Sequence, residues 1–254
     1  MDTTTTAVQP IHYPESDGKP MGETDVHIDV LIYVREALKD YFRAEPQVYV
    51  AGNMLLYYEE GNPAACVAPD VFVVQEVAKG ERRTYKLWEE GQPPSVVFEI
   101  TSRSSRLEDV GTKRALYAML GVREYFLYDP LGEYLRPPLQ GYRLQQSEYE
   151  HMLPGEQGEL VSQVLSLELR VDEGQLRVVN PSTGERLLTP AEAQSARRAE
   201  VEARKAEAAA RQAEAAARQA AEARAERAEA ELERLRGELA RLRRETPTSS
   251  REQE

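Results

Sequence analysis

Residues 94–130 read PSVVFEITSRSSRLEDVGTKRALYAMLGVREYFLYDP, and this stretch decides the fold. Val96-Val97-Phe98-Glu99-Ile100 is apolar at every position but one, which suits a central strand buried on both faces. A helix is expected from about residue 107 to 120, with Val110, Leu116, Tyr117 and Leu120 as its apolar stripe and Gly121 as its stop. Glu124–Tyr128 follows as a second short strand, closed by Asp129-Pro130. This is a mixed α/β pattern.

The pattern extends both ways. Residues 23–42 read as a helix, because Val26, Val30, Val34, Leu38 and Phe42 recur every four residues. Ile28, Leu31 and Ala37 widen the apolar face, and Pro46 ends the segment. Strands are expected at 47–51, 54–58, 68–75 and 95–101, which are rich in Val, Tyr, Phe and Ile. Downstream, to Val179, hairpins turn at Pro154-Gly155 and Glu173-Gly174. Composition then changes. From 191 to 245 there is no proline and only one glycine, Gly237, so a continuous helix on the order of 80 Å is expected. Alanines 199, 203, 206, 210, 213 and 217, and leucines 232, 235, 239 and 242, step by four and three as a coiled-coil seam does. Two successive steps of four between Ala217 and Ala225 make a stutter. The leucine end should drive association, because alanines bury little area. The alternative is a solvated single helix held by Glu–Arg pairs. The expected organisation is a flexible leader over 1–13, a globular domain over 14–185, a coiled-coil helix over 190–245 and a disordered tail over 246–254.

The chain has 254 residues and a formal net charge of −12. Residues 190–254 carry 14 basic and 14 acidic side chains, so the whole excess of acid lies in residues 1–189. Such a body is a poor general polyanion binder, and contact with nucleic acid requires a local basic patch, metal ions or both. One cysteine, Cys66, excludes an internal disulfide framework and a cysteine-rich zinc site, and fits a reducing cytoplasm. Neither a secretory signal nor a membrane span is expected. With three histidines and no HExxH, GxSxG, CxxC or glycine-rich phosphate loop, what remains is carboxylate chemistry.

Two acids sit where acids are expensive. Asp70 opens the apolar run Val71-Phe72-Val73-Val74, and Glu99 interrupts Val96–Ile100. A carboxylate among apolar strand neighbours has to be paired, hydrogen-bonded or metal-bound. On adjacent strands the two could hold one Mg²⁺ or Mn²⁺, which takes oxygen ligands and keeps several waters. Such an ion assists phosphodiester hydrolysis. The plainer alternative has Asp70 capping a turn and Glu99 facing solvent on an edge strand.

The segment CVAPDVFVV (66–74), followed by 94–130, resembles the Uma family of restriction endonucleases, within the PD-(D/E)XK nuclease superfamily. The resemblance spans roughly residues 15–180. It rests on the order Pro69-Asp70, Phe98-Glu99-Ile100 with Ser102 and Ser104, Asp109-x-Gly111-x-Lys113, Leu116-Tyr117, Gly121-Val122 and Tyr125. It implies a restriction-endonuclease-like mixed sheet flanked by helices, and Asp70 and Glu99 as metal-binding acids. The superfamily's lysine two residues after the glutamate is Thr101 here, and Lys113 matches the family's relocated lysine. Asp109 and Lys113, four apart, share a helix face; a surface ion pair between them is the alternative. The superfamily's first-helix acid points to Glu23, beside His27, ahead of Glu36. Ser102 is an accessory candidate. Arg103, Arg106, Lys113, Arg114 and Arg123, against Glu108 and Asp109, make 103–123 locally basic, and Arg103, Arg106 and Arg114 are candidate phosphate contacts; an ordinary solvated helix face is the alternative.

The reading is a Mg²⁺- or Mn²⁺-dependent endonuclease acting on DNA, a cytoplasmic homodimer, with a further protein partner accommodated on its coiled coil. A non-catalytic scaffold that keeps the fold is the rival, favoured by the acidic body and Thr101. A phosphodiesterase acting on RNA or small nucleotides would use the same site.

Overall fold

The computed structural model describes residues 11–16, 18 and 23–245, so residues 1–10 of the expected leader and the expected tail at 246–254 lie outside the described residues. The chain divides into two units, Met1–Ala193 and Gln194–Glu254.

The first unit is built on a six-stranded mixed sheet. Its strands are β1 (Val48–Ala51), β4 (Val71–Gln75), β6 (Val96–Ile100), β7 (Glu124–Tyr128), β8 (Leu139–Gln145) and β9 (Glu148–His151), in the order β1-β4-β6-β7-β8-β9. Within this sheet, among the described residues, only β6 and β7 pair in parallel. The helical segment between them makes that connection, as a parallel pair requires. Both strands are buried at all five positions, so the reading of Val96–Ile100 as a central strand holds. Two three-stranded sheets complete the unit: β2 (Leu56–Tyr57) between β3 (Cys66–Val67) and β5 (Tyr85–Lys86), and β11 (Leu167–Asp172) between β10 (Leu160–Ser162) and β12 (Gln175–Val179). The hairpin β11–β12 turns at Glu173 and Gly174, both with positive φ.

The period-two alternation of the strands gives two cores. Val71, Val73, Val96 and Phe98 face one side, where helix α1 (Asp25–Tyr41) and the β10–β12 sheet pack through Val34, Leu38, Leu169 and Val178. Phe72, Val74 and Val97 face the other, against Tyr117, Tyr125 and Tyr142. A short helix, α2 (Leu87–Glu90), follows β5.

Three details differ from expectation. Thr24 caps α1, its hydroxyl accepting from the His27 amide. The helix buries His27, Tyr33, Val34, Ala37 and Leu38, while Val26 and Ile28, placed on the apolar face by periodicity, are exposed. The expected helix over 107–120 is a wide π-helical turn, Glu108–Lys113, running into α3 (Arg114–Leu120). Of its expected stripe only Tyr117 is buried, and Val110 is exposed. Gly121 ends α3 with φ 82°, as a C′ glycine does. Finally, Tyr13, assigned to the leader, packs edge-on against Tyr57 and accepts a hydrogen bond from the Gly61 amide.

The second unit consists of most of α4 (Pro190–Glu245). Thr189 and Glu192 form a reciprocal capping box at its start, and Pro190 occupies the first helical position. Ion pairs such as Arg204–Glu200 and Arg211–Glu207 run along it. No described helix is long and apolar enough to cross a membrane.

Candidate active site

Antiparallel pairing of β4 with β6 matches Val71 to Phe98, so the next step along the ladder sets Asp70 opposite Glu99. The two acids bracket the strand end. The Ile100 amide donates to Asp70 Oδ2 at 2.7 Å, and the Asp70 amide lies 3.4 Å from Glu99 Oε2. Glu99 is 1% exposed.

The turn after β6 closes over this pair. Lys113 Nζ sits 3.0 Å from Glu99 Oε2 and 3.0 Å from Asp109 Oδ1. Tyr117, one further turn along, donates its hydroxyl to Glu99 Oε1 at 2.6 Å. Ser105 donates to Asp109 Oδ2 at 2.7 Å, and Tyr125 donates to the Asp109 carbonyl at 2.9 Å. The π-helical turn carries Asp109 and Lys113 on one side, so both reach the carboxylates. From the other side of the sheet, the first turn of α1 brings His27 Nε2 to 3.3 Å from Asp70 Oδ1. His27 Nδ1 lies 3.1 Å from Glu23 Oε2, without the alignment of a hydrogen bond.

Four carboxyl groups thus face one lysine and one histidine. Burial pushes Glu99 up to about 8; Lys113 pulls against this, and Asp70 and Asp109 add to it. Burial likewise raises Asp109. Desolvation alone would lower Lys113, but Glu99, Asp109 and Asp70 carry it well above the ordinary lysine range. Desolvation alone would also lower His27; its bond to Asp70 and the charges of Asp70, Glu23 and Asp109 leave it raised. The cluster is short of positive charge.

The family model of Uma2, described as "Putative restriction endonuclease", matches residues 9–186. The chain belongs to the Uma2 family. A solved structure, a "putative nuclease belonging to DUF820" from Anabaena variabilis ATCC 29413, is similar with a TM-score of 0.39 at 16% identity, over 53% of this chain and 70% of that one. No curated protein matches the chain.

The Uma2 chain thus brings Asp70, Glu99, Lys113, Asp109, His27 and Glu23 into one cluster. It does not bring in Glu36, which pairs with Arg35. Ser102 bonds to Ser104 and Ser105, at the entrance of the following turn. Arg103 and Arg106 are exposed, with Arg106 near the Tyr134 ring, while Arg114 lies over the Tyr142 ring. Thr101, two residues beyond Glu99, is buried, and its hydroxyl has no hydrogen-bond partner in the protein.

Among the described residues no three His, Cys, Asp or Glu side chains form a ready-made metal cage. Asp70 and Glu99 nevertheless fit Mg²⁺ in chemistry. They are adjacent oxygen donors in a cluster of four carboxyl groups, and Mg²⁺ is commonly held by one or two carboxylates, with waters and substrate oxygens as its other ligands.

Sequence reasoning gives no site role to Tyr117, Ser105 or Gly52, and places Tyr117 only on an apolar stripe and in the motif order. Tyr117 lies four residues beyond Lys113 and eight beyond Asp109, so extending that helix face would have found it. Gly52 had no signal. A β-carbon there would stand 2.4 Å from the Asp70 carbonyl oxygen. Gly52→Ala therefore has to displace the backbone that carries Asp70. We expect it to cost about 1–3 kcal/mol of stability, as overpacking does. Thermal melts of this variant against wild type check the effect.

Proposed function

We propose that the chain is a divalent-metal-dependent endonuclease that hydrolyses DNA phosphodiester bonds. The observation that carries this reading is the convergence of Asp70, Glu99 and Lys113 from two strands and a turn, in a chain of a family described as a restriction endonuclease. Asp70 and Glu99 would hold Mg²⁺ or Mn²⁺. When bound, the ion would ease deprotonation of water and neutralise charge on the phosphate.

The protein's own groups then have separate tasks. The Ile100 amide and His27 fix the two oxygens of Asp70. Tyr117 fixes one oxygen of Glu99 and leaves the other toward Lys113. Lys113 stays protonated, because Glu99, Asp109 and Asp70 carry it well above the ordinary lysine range, so it acts as a cationic donor to the phosphate or the attacking water rather than as a base. Asp109, held by Ser105, keeps the ammonium in place.

The test is nicking or linearisation of plasmid DNA by the purified protein. Activity with Mg²⁺ or Mn²⁺, abolished by EDTA, supports the reading. Cleavage of RNA or nucleotides alone would move the substrate while keeping the site. A cytoplasmic location belongs to the same reading, on the single cysteine.

The reading includes a homodimer, which suits an enzyme cutting two strands. Leu232, Leu235, Leu239 and Leu242 are exposed along one side of α4. With Leu232 and Leu239 at a and Leu235 and Leu242 at d, a parallel second copy sets Glu231 against Arg236 and Arg224 against Glu229, opposite charges at both g–e′ pairs. The same helices leave room for a further protein partner. Removing 191–254 should sharply reduce the hydrodynamic radius and leave cleavage largely intact, because the proposed catalytic residues precede it. Changing the four leucines to Ser should give monomers in sedimentation. An unchanged oligomer would place the dimer contact in the globular unit.

A further inference from the structure

A groove of about 840 Å³ runs along β1, the edge strand of the main sheet, between the C-terminal half of α1 and residues 79–83. Arg35, Lys39, Arg43, Lys79, Arg82 and Arg83 line it, and Glu81 is the single acid among its described lining residues. This is a concentration of positive charge on a unit whose overall balance is strongly acidic.

Its layout is ordered. Arg35, Lys39 and Arg43 are four residues apart, so they project from one side of α1 and its end at intervals of about 6 Å. Lys79 donates to the carbonyls of Phe42 and Arg43, placing a cation on the negative end of the helix dipole. Arg82 is committed to the structure through Glu90 and the Tyr49 ring. The others are held loosely. Arg35 pairs with Glu36, Arg43 with Asp40 and Arg83 with Glu15, all between partly or well-exposed side chains. Such pairs are worth about 0–1 kcal/mol and exchange readily for a phosphate.

The groove also reaches the candidate site. Gly52 lies in its wall, and a β-carbon built there would stand 2.4 Å from the Asp70 carbonyl oxygen and 3.3 Å from the Arg35 side chain, so the wall at this point separates the two by little more than backbone. His27 and Arg35 are two turns apart on α1, about 12 Å, so one helix spans from the carboxylate cluster to the first cation of the groove.

We propose that this groove binds the sugar–phosphate backbone of DNA flanking the cut, so that the acidic body holds its substrate through a local basic track. The inference rests on the nuclease reading and adds the surface that holds the substrate. It places the phosphate contacts on α1 and residues 79–83, in addition to the arginines of 103–114.

Fluorescence anisotropy tests it, using the full chain and labelled duplex DNA in EDTA, so that no strand is cut. Lys39→Glu with Arg43→Glu should weaken binding at least about tenfold and make the dependence of log K on log salt shallower by about two, one per lost phosphate contact. Arg204→Glu with Arg211→Glu, an equal charge change on α4, should stay within about twofold of wild type. If the double glutamate variant fails to fold by circular dichroism, Lys39→Gln with Arg83→Gln replaces it, with the same expectation. Groove variants that bind like wild type, equal losses in groove and α4 variants, or no DNA binding by wild type would each overturn the proposal. Cleavage with Mn²⁺ separates this from the function itself. Groove-dependent binding without cleavage would retire hydrolysis and keep the groove, whereas cleavage that ignores the groove variants would retire the groove alone.

Discussion

Asp70→Asn and Glu99→Gln should each abolish metal-dependent DNA cleavage. The expected loss is on the order of a thousandfold or more, because each variant removes one of two acids proposed to hold the ion, whose charge stabilisation is worth several kcal/mol. Both substitutions preserve shape. In Asp70→Asn the amide oxygen can still accept from the Ile100 amide, and in Glu99→Gln it can still accept from the Tyr117 hydroxyl, so the fold should persist. Glu99→Gln should in addition flatten the pH dependence of stability in EDTA. Glu99 is held up to about 8 in the folded chain against an ordinary 4.5, so the folded state binds the proton more tightly than the unfolded state. Its contribution is therefore full below pH 4.5 and lost progressively as pH rises toward 8. Plasmid cleavage and melting curves from about pH 5 to 8.5 read both effects. Equal cleavage by wild type and both variants would trace the activity to a contaminant and remove the assignment.

Lys113→Ala should show the second large effect. It takes the one ammonium away from Glu99 and Asp109, which are buried. Removing one partner of a buried pair typically costs about 3–5 kcal/mol, and protonation of Glu99 offsets part of this. In EDTA the variant should melt well below wild type, and Mn²⁺ should raise its melting point by more than it raises that of wild type. Turnover should be lost while Mn²⁺ binding is kept, since an ammonium is not a ligand. Adding Thr101→Lys to this background, which puts a lysine two residues beyond Glu99 and on the same side of the extended chain, should recover part of the activity. Full activity in Lys113→Ala would leave the site running on its carboxylates and the ion alone.

The parts legible in the sequence were those carried by strand patterning. Glu99 drew attention because it was the one acid in an otherwise apolar strand, and β6 is indeed buried throughout. Its neighbour β7 has the expected bounds. Asp70 stands out as the acid that opens the apolar run 71–74, Lys113 is reached by motif order, and the pairing of β4 with β6 sets Asp70 opposite Glu99. Periodicity misjudged α1 because it ranks residues by hydrophobicity alone. His27 is buried by its contact with Asp70, while Val26 and Ile28 remain exposed. The π-helical turn escaped notice for a related reason. The Tyr125 hydroxyl and the Lys113–Glu99 pair are contacts across the fold that no local pattern encodes. The basic groove is the clearest case: Arg35 and Arg83 are far apart in sequence and become neighbours only when β1 pairs with β4 beside α1.

The central claim is that Asp70 and Glu99 together hold a divalent cation. Anomalous diffraction from crystals soaked in Mn²⁺ addresses it most directly. A peak within about 2.0–2.3 Å of a carboxylate oxygen from each acid is the predicted result. No peak between them at saturating Mn²⁺, with the Lys113–Glu99 ion pair intact, would contradict it.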